Sequence, residues 1–111
     1  MLNQVILVGR LVKDLEVKKL EDGKKVTTMT LAIPRSYKNE QGEYETDFVD
    51  CRLYNNIASN TAEYCRKGDI VGVKGRIQTT QNIDENGNIT DKTTNIMAEK
   101  VTFISSRKEN D

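Results

Sequence analysis

One stretch of this chain keeps helical spacing, and only one. From Asn56 to Lys67, Ile57, Thr61 or Ala62, and Tyr64 or Cys65 recur at intervals of three and four. Asn55 or Asn56 offers a start cap, and Gly68 follows Arg66-Lys67 as a stop. The other apolar runs read as strands, so the core must come from β-structure with a single helix set among it.

The strand runs are separated by turn chemistry. Asn3–Val12 opens the chain with apolar residues on both parities: Val5, Leu7 and Leu11 on one, Ile6, Val8 and Val12 on the other. A strand with one wet face alternates; this one is expected to bury one face in its own core and the other against something else. Asp22-Gly23 marks a hairpin, and Val26–Ile33 follows with Met29, Leu31 and Ile33 on one face. Pro34 is expected to end that strand or sit on its edge. Residues 36–45 read as a polar loop or hairpin around Gln41-Gly42. Asp47–Tyr54 alternates cleanly, with Val49, Cys51 and Leu53 inward and Phe48, Asp50, Arg52 and Tyr54 outward. After the helix, Ile70–Thr80 places Val71, Val73, Gly75 and Ile77 inward and Lys74, Arg76, Gln78 and Thr80 outward. A tip at residues 84–88 leads to a fifth strand, Thr93–Ile104. Five strands with one short α-helix between strands 3 and 4 is the order of an all-β OB-fold barrel. Gly9 and Gly75, inside strands, fit places where a strand coils sharply to close it. One domain, 1–104, is expected, with 105–111 as a short flexible C-terminal end.

Composition removes whole classes of chemistry. With no histidine and only Cys51 and Cys65, the 111 residues supply neither a zinc ligand set nor the usual His base of a nucleophilic cysteine. No metal, cofactor or catalytic residue is expected. Both cysteines read as small core residues in a reducing cytoplasm, since neither a signal peptide nor a membrane span is evident. Net charge is zero, but its distribution is uneven: residues 1–38 carry eight Lys/Arg against four acids, 39–50 five acids and no base, and 52–80 five bases against two acids. Cations thus gather on the strands; ordinary solvated charge would also account for this.

Phe48, Arg52 and Tyr54 share the outer face of the third strand. Arg35, Tyr37 and Lys38 follow the second, and Lys74 and Arg76 lie on the fourth. Flat rings that stack bases, interleaved with cations that follow phosphates, are what a single-stranded nucleic acid requires. Aromatics also favour strands for packing alone, and the residues by themselves leave both readings open.

Four segments carry a resemblance: Asn3-Gln4-Val5-Ile6-Leu7-Val8-Gly9-Arg10-Leu11 with Asp14 and Glu16 after it, Thr46-Asp47-Phe48, Ala62-Glu63-Tyr64 into Arg66-Lys67-Gly68, and Val73-Lys74-Gly75-Arg76. In this order and at this spacing the chain, from Met1 to about Ile104, resembles the bacterial and phage single-stranded DNA-binding protein (SSB) family. The resemblance implies an OB-fold that binds single-stranded DNA, acts in replication, recombination and repair in the bacterial cytoplasm with the nucleoid, and assembles as a homotetramer. It implies base stacking by Tyr37, Phe48 and Tyr54, and backbone contacts from Arg10, Arg35, Lys38, Lys74 and Arg76, with Arg52 on the same face. Val5, Ile6, Leu7 and Val8 are expected at the subunit interface.

The chain departs from the family pattern in four places. Asp14-Leu15-Glu16 replaces Asp-Pro-Glu. The hairpin after the fourth strand reads Gln78 to Asn82 where the family carries an aromatic and bases, so one stacking platform is missing. Asp50 lies on the face meant for phosphate. The long tail with an acidic tip that recruits replication and repair proteins is absent, and the sequence ends Arg107-Lys108-Glu109-Asn110-Asp111, which fits a phage or mobile-element protein or a trimmed one. Two other readings are an OB-fold serving RNA or a primosome, and one serving purely as an oligomerisation module, which the acidic stretch 39–50 would suit.

Overall fold

A computed structural model of the chain describes residues 1–106. Its elements are β1 (Val5–Leu11), β2 (Lys18–Lys19), β3 (Lys25–Lys38), β4 (Tyr44–Tyr54), α1 (Asn55–Tyr64), β5 (Ile70–Ile83) and β6 (Ile89–Ser105). Neighbouring strands run β1-β5-β6-β4-β3-β2, and β1 pairs back onto β3. That last pairing, Arg10 opposite Ala32 and Leu11 opposite Leu31, closes five strands into the OB-fold barrel. The two-residue β2, absent from the sequence reading, lies outside it against β3.

Alternation sets the core as expected. Leu11, Met29, Leu31, Cys51, Leu53, Val71 and Val73 are buried together, with Ala58 and Cys65 from the helical segment closing one end. Removing a side chain such as Leu31 or Leu53 to Ala leaves a cavity costing about 2–5 kcal/mol.

The boundaries differ from expectation in instructive ways. β3 runs through Pro34 to Lys38, and β4 starts at Tyr44, so residues 36–45 form a hairpin whose turn is confined to 39–43. Pro34 is tolerated because of its parity. The Thr30 carbonyl accepts from Val12 N–H, 3.2 Å, so the even residues of β3 turn their backbone groups away from β4. At Pro34 the pairing with β1 has already ended, and no ladder bond needs its missing N–H. β5 and β6 likewise run on into a long arm. Ile77, expected inward, lies opposite Ile96 but two residues past Gly75, where the pairing with β1 ends, and is exposed. The radius of gyration, 16.4 Å, exceeds the about 13 Å of a compact chain this size, in keeping with two projecting hairpins.

The helix stops at Tyr64, not Lys67. Neither asparagine caps it by side chain. Asn55 takes a positive φ of 53°, and its Oδ1 instead accepts from Lys25 N–H, 3.2 Å. Gly68, at φ +95°, serves the following turn, where its N–H donates to the Leu11 carbonyl, 2.9 Å. The glycines inside strands answer to close backbone approach. A Cβ on Gly75 would strike the Met97 carbonyl, where β6 carries an extra residue opposite β5. Of the end expected at 105–111, Ser105 closes β6, and 107–111 lie outside the described residues.

Candidate nucleic-acid interface

The even residues of β4 face outward along the barrel. Phe48 lies opposite Ala32, too small to cover it, and its ring is 67% exposed. Tyr54, opposite Val26, is half-buried. Between them Arg52 pairs with Thr28 on one side and Met97 on the other, and Met97 faces Arg76 on β5. Thr28, Arg52, Met97 and Arg76 therefore form one row across four strands. Arg76 is held by Gln78 Oε1 at 2.9 Å and Glu99 at 3.6 Å; Arg52 makes no ion pair among the described residues. Beside Arg52 lies an open hollow of about 500 Å³ that also presents Lys13, Lys18, Asp14 and Glu16. Asp50, on the same face, accepts a 2.6 Å hydrogen bond from the Thr30 hydroxyl, which ties its carboxylate down.

The β3–β4 arm has two distinct faces. Arg35 donates from Nε and Nη2 to the Asp47 carboxylate at 2.9–3.3 Å and from Nη1 to Glu45 at 2.7 Å. This raises the Arg35 pKa further and holds the Asp47 carboxyl below its usual range, chiefly through the hydrogen bond. One guanidinium on both residues fixes the odd positions of this stretch to one side, so Tyr44, Thr46 and Phe48 take the other. Arg35 thus sits on the reverse of the Phe48 face. Tyr37 is 63% exposed within a bulge, where β3 spans Pro34–Lys38 against Thr46–Tyr44 of β4. Lys38 lies opposite Tyr44 with Nζ 5.7 Å from the ring centre.

A third patch surrounds β1. Val5 and Leu7 point inward and are half-buried. Ile6 and Val8 point outward, 69% and 52% exposed, with Ile104 reaching over Gly72 beside Val8. Lys74 belongs to this side, between Ile6 and Lys100. Arg10 donates to the Gly68 carbonyl at 2.7 Å.

The sequence profile described as the Single-strand binding protein family matches residues 2–104. The chain belongs to that family. Within it, "Single-stranded DNA-binding protein B" of Bacillus subtilis (strain 168) is 46% identical over 107 residues, 96% of this chain and 94% of that protein. "Single-stranded DNA-binding protein 3" of Listeria innocua is 44% identical over 97% of this chain and 67% of its own length. A crystal structure of a deletion variant of the single-stranded DNA binding protein from Thermus aquaticus superposes with a TM-score of 0.76 at 22% identity, covering 96% of this chain and 52% of that one. The resemblance read from the four sequence segments is borne out, and so is the barrel.

Within this single-strand binding fold, sequence reasoning missed three features. Tyr44, 61% exposed, lies in a segment that reads as a polar loop or hairpin; only the hairpin alternative, with β4 starting at Tyr44, sets its ring on a strand. Met97 and the Lys13–Lys18 pair reach the outer face only through strand pairing. Among the described residues no group of three or more His, Cys, Asp or Glu is placed to hold a metal, and no helix is long and apolar enough to cross a membrane. Cys51 and Cys65 are free and buried. Burial, with Asp50 adding, pushes the Cys51 thiol up to about 11.

Proposed function

We propose that this chain binds single-stranded DNA without regard to sequence and protects it during replication, recombination and repair, as a binding protein and not an enzyme. The observation that carries this reading is the uncovered Phe48 ring in line with Arg52, a cation with no ion pair among the described residues. Family membership and the printed names of the relatives support it. Bases stack on Phe48, Tyr54 and Tyr37, and phosphates follow Arg10, Lys38, Arg52, Lys74 and Arg76. Arg35, already shared between two carboxylates, is better suited to holding the arm than to meeting phosphate. Stacking without base-edge hydrogen bonds accounts for sequence tolerance.

The proposal includes a homotetramer in the bacterial cytoplasm, acting at the nucleoid. Its support is the apolar outer face of β1 and the open backbone edge of Val5–Gly9, which pair with β5 on one side while β3 reaches only Arg10 and Leu11 on the other. Such an edge suits isologous pairing with a second copy.

Titration of labelled oligo-dT, matched RNA and duplex DNA across salt concentrations tests the reading. Oligo-dT is expected to bind tightest, with log K falling against log salt by about 0.7 per phosphate contacted. Equal affinity for duplex, or a flat salt response, rejects it; tighter RNA binding favours an RNA-directed OB-fold instead.

A further inference from the structure

We infer that Tyr44, with Lys38 over its ring, is a fourth base-stacking platform, placed on the β3–β4 arm by the Arg35 clamp on the arm's reverse face. The inference deepens the single-stranded DNA reading and rests on it.

Three observations carry it. Tyr44 is 61% exposed in a strand, and Lys38 Nζ stands 5.7 Å from its ring centre. One ring face is therefore beneath an ammonium, and the other is left to solvent. A flat ring with a cation beside it is the pairing that holds a stacked base and its phosphate together. Second, Tyr44 shares its parity with Phe48, four residues or about 13 Å along the same strand. One strand of DNA tracking β4 past Arg52 and Phe48 would reach it without changing face. Third, the acidity of this segment does not oppose the path. Of the five acids in residues 39–50, Glu45 and Asp47 are turned to the reverse face and paired with Arg35, and Asp50 is bound by Thr30. Glu40 and Glu43, at the turn, remain. The β5–β6 arm offers no aromatic side chain between Gln78 and Asn82, so the additional platform lies on the other arm.

The chain contains no tryptophan, so a single Trp reports on one position. Tyr44→Trp and, separately, Phe48→Trp are titrated with oligo-dT while Trp fluorescence is followed. The expected result is quenching in both, with Tyr44→Ala weakening oligo-dT binding roughly 5- to 150-fold and Tyr44→Phe binding like the parent. Thermal melts of each variant should stay close to the parent, since the ring is exposed. Quenching at Phe48→Trp but none at Tyr44→Trp, or parental affinity in a folded Tyr44→Ala, overturns the Tyr44 assignment and leaves the function standing. No binding by the parent overturns both.

Discussion

Arg35 and Asp47 meet side-on across the β3–β4 arm, the Nε and Nη2 of one against both carboxylate oxygens of the other at 2.9–3.3 Å. The pair lies on exposed strand, where single ion pairs contribute little to stability. Its geometric effect is larger, because it ties together the side chains of one face of the arm, the face opposite Tyr44 and Phe48. Asp47 has its folded pKa depressed, so its contribution is present above the ordinary carboxylate value and lost as pH falls through the lowered one. The Asp47 carboxyl, followed by NMR, should titrate below the usual range and return to it in Arg35→Gln. If Arg35 holds the arm instead of a phosphate, Arg35→Gln should leave the salt slope of DNA binding unchanged, whereas Arg52→Gln should reduce its magnitude by about 0.7.

Phe48 is better held than Tyr37, since it sits on regular strand while Tyr37 occupies the bulge. Phe48→Ala is expected to weaken poly-dT binding most among Tyr37, Phe48 and Tyr54, by about 1–3 kcal/mol, or one to two decades. The fold should survive, as the ring points away from Val49, Cys51 and Leu53. Affinities and melts of the three alanine variants check this. Parental binding by all three, while folded, would move the oligomerisation reading ahead.

Val8 and Ile6 form an apolar outer face on β1. Val8 is half-exposed in the single chain, so Val8→Asp should be tolerated by an isolated subunit, within about 0.5 kcal/mol as for other surface changes. Between subunits it would bury an unpaired charge. Sedimentation is expected to find the parent as a tetramer and the variant as smaller, folded species. A native parent that sediments as a monomer ends the interface proposal.

Gly75 has the Met97 carbonyl where a Cβ would stand, and backbone cannot move aside as a side chain can. Gly75→Ala should lower stability by about 1–3 kcal/mol and shift the melting midpoint down by several degrees. Gly87→Ala, with no atom within 4 Å but a φ of +83°, serves as the comparison: its cost should come from the turn alone, and hairpin amides in NMR should move while the barrel's stay. Equal midpoints for Gly75→Ala and the parent would show that β6 can give way here.

Local chemistry determined much of this protein. Period-two alternation in β4 placed Phe48, Asp50, Arg52 and Tyr54 outward and Cys51 and Leu53 in the core, because successive side chains of a strand must point to opposite faces. The lack of histidine left Cys51 and Cys65 without the usual partner of a zinc site or a nucleophilic thiol, and the single helical stretch set one helix in an otherwise β chain. Sequence could not say where the strands ended, because Pro34 reads as a stop or an edge position until the neighbouring strand is seen to have ended first. Nor could it place residues that become neighbours only by pairing. Arg52, Met97 and Arg76 come from three strands and make a row through register alone. Arg35 reads as one more cation beside Tyr37 until the hairpin folds Glu45 and Asp47 against it. Tertiary structure decided these points because a charge's role depends on which partner reaches it first, and that is fixed by strand register between segments distant along the chain.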